Sequence, residues 1–355
     1  MGDDLFAAEP AWVTAPSSGP DSIVQLSSVR LRRNIDGFPF PSKCSKSQLY
    51  DSAAMALGAL GRSREWEDCD FRMMDSLDDT SRYLLLEMKM ITPRFVQGGA
   101  GRFLLRDSSG RTACMINEED HISISVTNPG LALPSALDAA ERMERSLGIK
   151  LVRDAVLGYL TSNPAYAGTG MTAAAILHLP ALDSTDDITR VADTFRRDWN
   201  NLGLGRLQSC DGEPCGSFYI LSNKITLSVM PEEIVRNVSK ASRALISREM
   251  FARQKICSSK EGEMTDRFWR AWGLLRHART LSFSEAASCF SFVKLGSDVG
   301  VLPHIDDMDW RRMVIRSQRY HLSLGSPVII DRDDEPFARA AVFRQYIENL
   351  SSSVH

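Results

Sequence analysis

Apolar residues follow two rhythms along this chain. The first is helical. Over 43–61 it places Leu49, Ala53, Leu57 and Leu60 on one side, with Ser45 set to cap the segment. Residues 134–148, PSALDAAERMERSLG, predict an amphipathic helix opened by Pro134 and closed by Gly148. A further helix is expected over 184–201, with Ser184 or Thr185 as cap and two aspartates in its first turn, where negative charge suits the helix dipole. Pro231 with Glu232 and Glu233 opens another, running to 256. The second rhythm is alternation. Ile122, Ile124 and Val126 predict a half-buried strand over 121–127. MTAAAILHLP reads as a buried strand, and SFYILSNKITLSV as strands around a Ser-Asn turn. YLLLEMKMI fits either the end of a helix or a strand. After Gly262 only helices are expected, over 263–279, 283–295 and 335–350. The pattern therefore predicts an α+β domain over 21–258, a smaller all-α domain over 262–355, and a flexible Ala/Pro/Ser/Gly-rich arm over 1–20.

Composition narrows the function without choosing it. With 355 residues, 43% hydrophobic and 25% charged, the chain is long enough to bury a large core. A net charge near −3 gives no sign of a nucleic-acid or membrane-surface partner. No apolar run is long enough to span a bilayer, and the N-terminus lacks the pattern of a secretory signal. Seven scattered cysteines without a CxxC pair predict free thiols in a reducing cytoplasm. Cys210 and Cys215 flank a turn, but two more ligands are lacking, so no metal is expected.

Candidate chemistry begins at MINEEDHISISV, where Glu118, Glu119 and Asp120 stand in a row before His121. A solvated turn would account for them, and so would a site built for a strong cation. Further along lie a loop rich in small and hydroxyl residues, GYLTSNPAYAGTGM, and a Gly-containing turn with Glu213 in GRLQSCDGEPCGSF. Near the start, LSSVRLRRNI presents Arg30, Arg32 and Arg33.

In this order the segments resemble the phosphagen kinases (ATP:guanidino phosphotransferases), most closely the protein arginine kinase branch. The motifs that carry the likeness are Asn117-Glu118-Glu119-Asp120-His121, LTSNPAYAGTG, the HLPAL that ends the next strand, LSNKITL, and the helical tail GLLRHARTLSFSEAASCFSFVKLGSDVG. The resemblance runs from about Ser22 to Leu350. It implies an antiparallel sheet flanked by helices, followed by helices. The implied reaction transfers the ATP γ-phosphate to arginine side chains of proteins, with ATP and Mg2+ as cofactors. Glu119 would grip the substrate guanidinium and act as its base, and a second glutamate would clamp the group from the other side. A guanidinium is a planar fork of donors, so paired carboxylates suit it. Counting back from LSNKITL without gaps puts Cys210 at the second position. Shifting the turn by three residues puts Glu213 there, and Glu213 is the candidate because it supplies a carboxylate. Asn163 stands where the family has a loop cysteine near the reacting guanidinium, and Tyr166 where it has a loop asparagine. The resemblance also implies arginine-containing protein substrates, a small zinc-binding activator and a Clp-type protease in protein quality control, and is compatible with a homodimer. In its C-terminal part it implies a phosphoarginine pocket, for which Arg339 is the candidate. Asp333, Asp334 and Glu335 nearby would repel a phosphoryl group, and also suit a helix start.

The nucleotide half departs from the family pattern. Arg30 is kept, but Ser28, Ser123, Thr172 and Gly205 stand at four positions where the family has arginine, and Lys89 replaces a histidine. Arg206 (beside Gly205), Arg32 and Lys89 are candidate substitutes. A charge-assisted hydrogen bond contributes about 1.5–3 kcal/mol, so four losses would cost about 6–12 kcal/mol if uncompensated. Micromolar binding is itself only about 8 kcal/mol. The residues thus predict weak or absent kinase activity, pseudokinase-like, with arginine binding retained. The alternatives are an active protein arginine kinase with a rebuilt ATP site and, behind it, a free-arginine phosphagen kinase.

Overall fold

The structure, a computed structural model, describes residues 9–16, 22–67, 69–185, 187–259, 261–324 and 330–352. In chain order its elements begin with α1 (Ala11–Thr14), β1 (Val24–Arg33), α2 (Lys46–Leu60), β2 (Cys69–Met73) and α3 (Asp79–Glu87). There follow β3 (Phe103–Asp107), β4 (Thr112–Ile116), β5 (Ile122–Pro129), α4 (Leu133–Ser146), β6 (Arg153–Asp154) and β7 (Gly158–Tyr159). Next come β8 (Met171–His178), α5 (Pro180–Ser184), α6 (Asp187–Asp198), β9 (Leu202–Gln208), β10 (Pro214–Asn223) and α7 (Pro231–Ser259). The tail is helical: α8 (Glu261–His277), α9 (Phe283–Asp298), α10 (Asp307–Arg316), α11 (Arg319–Leu322) and α12 (Glu335–Ser352).

Eight strands form one antiparallel sheet in the order β2-β3-β4-β5-β1-β8-β10-β9. The expected α+β class with an antiparallel sheet and a helical tail is what the chain adopts. Register and the two-residue alternation of strands define the faces. One carries Val29, Leu31, Ile122, Ile124, Ala173, Ala175, Leu177 and Leu221, all buried, and α4 and α7 cover it. The other carries a polar stripe, Ser28, Arg30, Arg32, Ser123, Ser125 and Thr172, on the three adjacent strands β1, β5 and β8. On one side of that stripe, Leu104, Ala113 and Met115 are covered by an apolar cluster from residues 74–96. On the other side, Leu26, Ile176 and Phe218 meet Trp12 and the C-terminal helices. A polar stripe between two apolar patches is where a sheet can receive a polar ligand.

Local chemistry explains the elements. Ser45 caps α2 with a reciprocal box: its hydroxyl accepts from the Gln48 N–H, and the Gln48 side chain accepts from the Ser45 N–H. The helix expected over 184–201 is instead two, α5 and α6, with Thr185 in a turn between them. The strands expected around Ser-Asn reduce to one. Asn223 ends β10 by using its side chain where a ladder would continue, accepting from Ala173 N–H at 2.8 Å and donating to Met171 O at 3.2 Å. Thr226 then turns its hydroxyl to Ala165 and Ala167 carbonyls, at 3.0 and 2.7 Å. The segment after β10 is thus drawn onto the 163–170 loop.

One expectation about organisation is corrected. The flexible arm does not include residues 9–16: Val13 is fully buried, Trp12 donates to Met88 O at 3.2 Å, and Arg311 donates to Val13 O at 3.1 Å. The remainder of the expected arm, apart from these residues, lies outside the described residues up to Asp21. The C-terminal helices pack on the sheet. Trp310 of α10 lies 4.8 Å from the His178 ring of β8 and 5.7 Å from Phe218 of β10, and one apolar core runs through both regions.

Candidate functional site

The acidic motif joins β4 to β5, and the structure separates its acids. Asn117 adopts the left-handed conformation, φ 55°, that lets the chain turn. Its side chain donates to Leu49 O and Gly101 O at 2.8 and 2.9 Å and accepts from Ser52 at 3.2 Å. Glu118 is buried and accepts from the Thr92 hydroxyl at 2.5 Å. Asp120 is wholly buried and accepts from Asn34 Nδ2 and from Ser162 N–H, both at 2.6 Å. Two of the three carboxylates therefore hold the loop. Glu119 alone keeps a partly exposed side chain, directed into a cavity of about 460 Å³ that Ser42, Arg94, Gly98, Arg102 and Ser162 also line.

The small-residue loop comes to the same place. Ser162 Oγ donates to Glu119 O at 2.6 Å, so Asn163, its neighbour, lies beside the motif loop. Asn163 Oδ1 accepts from Ala165 N–H at 3.1 Å and caps the short turn that presents Tyr166. The Tyr166 ring stacks on the Arg32 guanidinium at 3.8 Å, and Arg32 Nη1 donates to Thr172 Oγ1 at 2.8 Å.

His121 follows the acids into the core, where Nδ1 accepts from Ile35 N–H at 3.3 Å. Burial lowers its pKa from 6.5 to about 4. The unfolded chain takes up the proton first as pH falls, so stability is expected to drop from about pH 6.5 to about pH 4, by as much as about 3 kcal/mol. His178, also held well below its ordinary value by burial, adds in the same sense. Urea unfolding at pH 7 and pH 4.5 checks this. His121→Gln should reduce the loss, and an undiminished loss would assign the pH dependence elsewhere.

Glu213 is not brought to Glu119. The register puts the 117–121 loop at the end of the sheet where β5 starts, opposite the C-terminal end of β1. The β9–β10 turn lies at the other end, where β10 starts opposite His178. There Glu213 accepts from Ser284 N–H at 3.0 Å, in the first turn of α9. Cys210, the other candidate, lies 4.0 Å from Glu87 Oε1, and burial raises its pKa to about 12. Both line a second cavity, about 420 Å³, together with Arg319, Arg332, Glu335 and Arg339. The acidic clamp expected from Glu119 and Glu213 is thus not assembled. Arg339, the phosphoarginine candidate, is 3% exposed and spends Nε on Ser317 O at 2.8 Å and Nη1 on Leu281 O at 3.0 Å. Its guanidinium ties α12 to the scaffold.

The nucleotide candidates divide by face. Ser28, Arg30, Ser123 and Thr172 share the polar stripe. The Arg30 Nε and Ser123 Oγ are buried without hydrogen-bond partners. Burial first, then the like charge of Arg32, lowers the Arg30 guanidinium to about 10, against the pull of Glu118. Gly205 pairs with Ile220, Ile220 with Ile176, and Ile176 with Leu26, which puts Gly205 on the stripe's face. Arg206, one residue on, falls on the opposite face. It donates to Asp183 at 2.5 Å and to Gly216 O at 2.7 Å, so its candidacy for phosphate is overturned. Lys89 sits beyond the stripe, beside a residual cavity of only about 40 Å³ lined by Trp12, Leu26, Ile176 and Phe218.

Comparison with known proteins decides the family. The family model described as the ATP:guanido phosphotransferase C-terminal catalytic domain matches residues 53–252, and that of the protein-arginine kinase McsB C-terminal domain matches residues 261–355. The protein-arginine kinase of Halothermothrix orenii is 31% identical over 314 residues, 88% of each chain. That of Geobacillus stearothermophilus is 32% identical over 352 residues, 97% of this chain and 95% of the relative. This chain belongs to the protein-arginine kinase family. Solved phosphagen kinases share the fold. The substrate-free duplicated taurocyamine kinase of Schistosoma mansoni superposes with a TM-score of 0.57 at 20% identity, covering 73% of this chain and 39% of that one. Lombricine kinase gives 0.54 at 17% identity, covering 68% of this chain and 71% of that one. No described helix is long and apolar enough to cross a membrane.

Residues that the motifs did not point to are Arg94, beside Glu119, and Asp183, beside Arg206. Both reach their partners only through the fold, and no local pattern marks them.

Proposed function

We propose that this member of the protein-arginine kinase family engages arginine side chains of proteins at Glu119 while transferring phosphate weakly or not at all. The observation that carries this is Arg206. It stands on the wrong face of the sheet, committed to Asp183 and Gly216 O, so nothing at position 205 or 206 supplies the guanidinium missing from the nucleotide side. Ser28 and Ser123 offer hydroxyls but no charge, and phosphoryl transfer depends on cations that neutralise the transferred group. The separation of Glu213 from Glu119 weighs the same way, because half of the guanidinium clamp is lost with it. Where a nucleotide did bind, ATP with Mg2+ would lie along the stripe, with Arg30 and Arg32 as its cations. A zinc-binding activator and a Clp-type protease complete the set of partners this reading implies.

One observation favours an active kinase instead. Arg32, hydrogen-bonded to Thr172, brings a guanidinium to one of the four vacated arginine positions. Two assays separate the possibilities. Calorimetry with ATP·Mg should give a dissociation constant no tighter than about 1 mM, that is, about 4 kcal/mol of binding free energy. Incubation with γ-labelled ATP and an arginine-rich protein should give no acid-labile phosphoarginine. Micromolar binding, or robust labelling, would overturn the proposal in favour of a rebuilt kinase.

A further inference from the structure

We propose that Arg94 is an internal occupant of the guanidinium site, the side chain that a partner protein's arginine must displace to reach Glu119. The inference rests on the function proposed above. Arg94 Nη1 lies 2.5 Å from Glu119 Oε1, and both line the same cavity of about 460 Å³. That volume lies within the range of ligand pockets, roughly 300–1,000 Å³. The carboxylate left free by the motif's own folding is therefore already paired with a guanidinium, the group it is built to hold.

The pairing is positioned by the backbone. Arg102 Nη1 donates to Arg94 O at 3.0 Å, and Arg102 Nε donates to Asn117 O at 3.1 Å, so one side chain ties the 94 segment to the acidic loop. Two residues earlier, the Thr92 hydroxyl holds Glu118 at 2.5 Å. The segment thus lies along the motif, with Thr92 engaging one acid and Arg94 the next. Beyond Cα, however, Arg94 is open: its side chain is 60% exposed, against 21% for Glu119. It can rotate into solvent without disturbing the core. An exposed ion pair is weak, so displacement is cheap and the site is attenuated rather than closed. Free arginines in solution would meet a filled carboxylate, and an arginine held close by other contacts of a protein partner would win it.

The test uses the full chain and a peptide with a single unmodified arginine among neutral residues, titrated by calorimetry. Arg94→Ala should tighten binding by roughly two- to fivefold, the range an exposed ion pair allows. Arg197→Ala, which removes an even more exposed arginine from α6, should leave the affinity unchanged and so exclude a net-charge effect. Glu119→Gln should weaken binding with or without Arg94. Unaltered or weaker binding by Arg94→Ala, with the Glu119→Gln loss intact, would overturn the role of Arg94 and leave the site standing. Binding that ignores Glu119→Gln, or no binding by any variant, would overturn the guanidinium site itself and the internal occupant with it.

Discussion

Trp310→Ala is expected to cost about 3–5 kcal/mol, the range for removing a large buried aromatic side chain. Trp310 is 1% exposed and stacks among His178, Phe218 and Phe290, with ring centroids 4.8, 5.7 and 4.5 Å away. The first two belong to the sheet and the third to α9, so this one side chain joins the two family domains. Its loss should lower the stability of both, seen as a single unfolding transition shifted in urea by far-UV and tryptophan signals alike. Trp310→Phe should cost much less, because the indole N–H has no hydrogen-bond partner to lose. Two separated transitions in the Ala variant, with the sheet domain unshifted, would show that the helical region stands on its own.

What the sequence made legible was local. The capping box at Ser45, the proline-led helix start at Pro231 and the alternation at Ile122, Ile124 and Val126 are set by neighbours three or fewer positions away, and the corresponding elements are present. Strand β1 alternates only over Val29-Arg30-Leu31-Arg32; Leu26 on the stripe's face, Ser27 on the apolar face and the Arg32-Arg33 pair break the period, so the segment reads as basic rather than as a strand. The helix α11 carries no such local mark: it has only four residues, and it is held from far along the chain. Buried Glu87 accepts from Tyr320 and His321 N–H at 3.0 and 3.1 Å, and Tyr83 stacks on Tyr320 at 4.3 Å.

The site was legible in chemistry but not in geometry. Three consecutive acids signalled a cation site, yet nothing local says that Glu118 and Asp120 turn inward and Glu119 outward. That division is made by Thr92, Asn34 and Ser162, all distant in sequence. Likewise its carboxylate recommends Glu213, and its charge recommends Arg206. Sheet register sends the first to the far end and the second to the far face, and register is a property of paired strands rather than of either strand alone.

Restoring charge on the stripe's face should recover nucleotide binding in steps that follow this geometry. Gly205→Arg is the cleanest change: a Cβ there meets no heavy atom within 4 Å, and the position faces the stripe. Ser28→Arg adds a second guanidinium near Arg30. Each gained charge-assisted contact should contribute about 1.5–3 kcal/mol, roughly 10- to 100-fold in affinity for ATP·Mg by calorimetry. The pair should exceed either alone, with increments that shrink at high salt as for any exposed charge. Thr172→Arg should gain little, because Arg32 already holds that hydroxyl and would repel a second guanidinium. Ser123→Arg should gain little as well, and should destabilise the fold, since Ser123 is fully buried opposite Arg32. Arg206→Ala should leave nucleotide affinity unchanged while costing stability through Asp183. A marked loss of ATP affinity on removing Arg206, or no gain from Gly205→Arg, would show that the phosphate-binding cations lie elsewhere than the register places them.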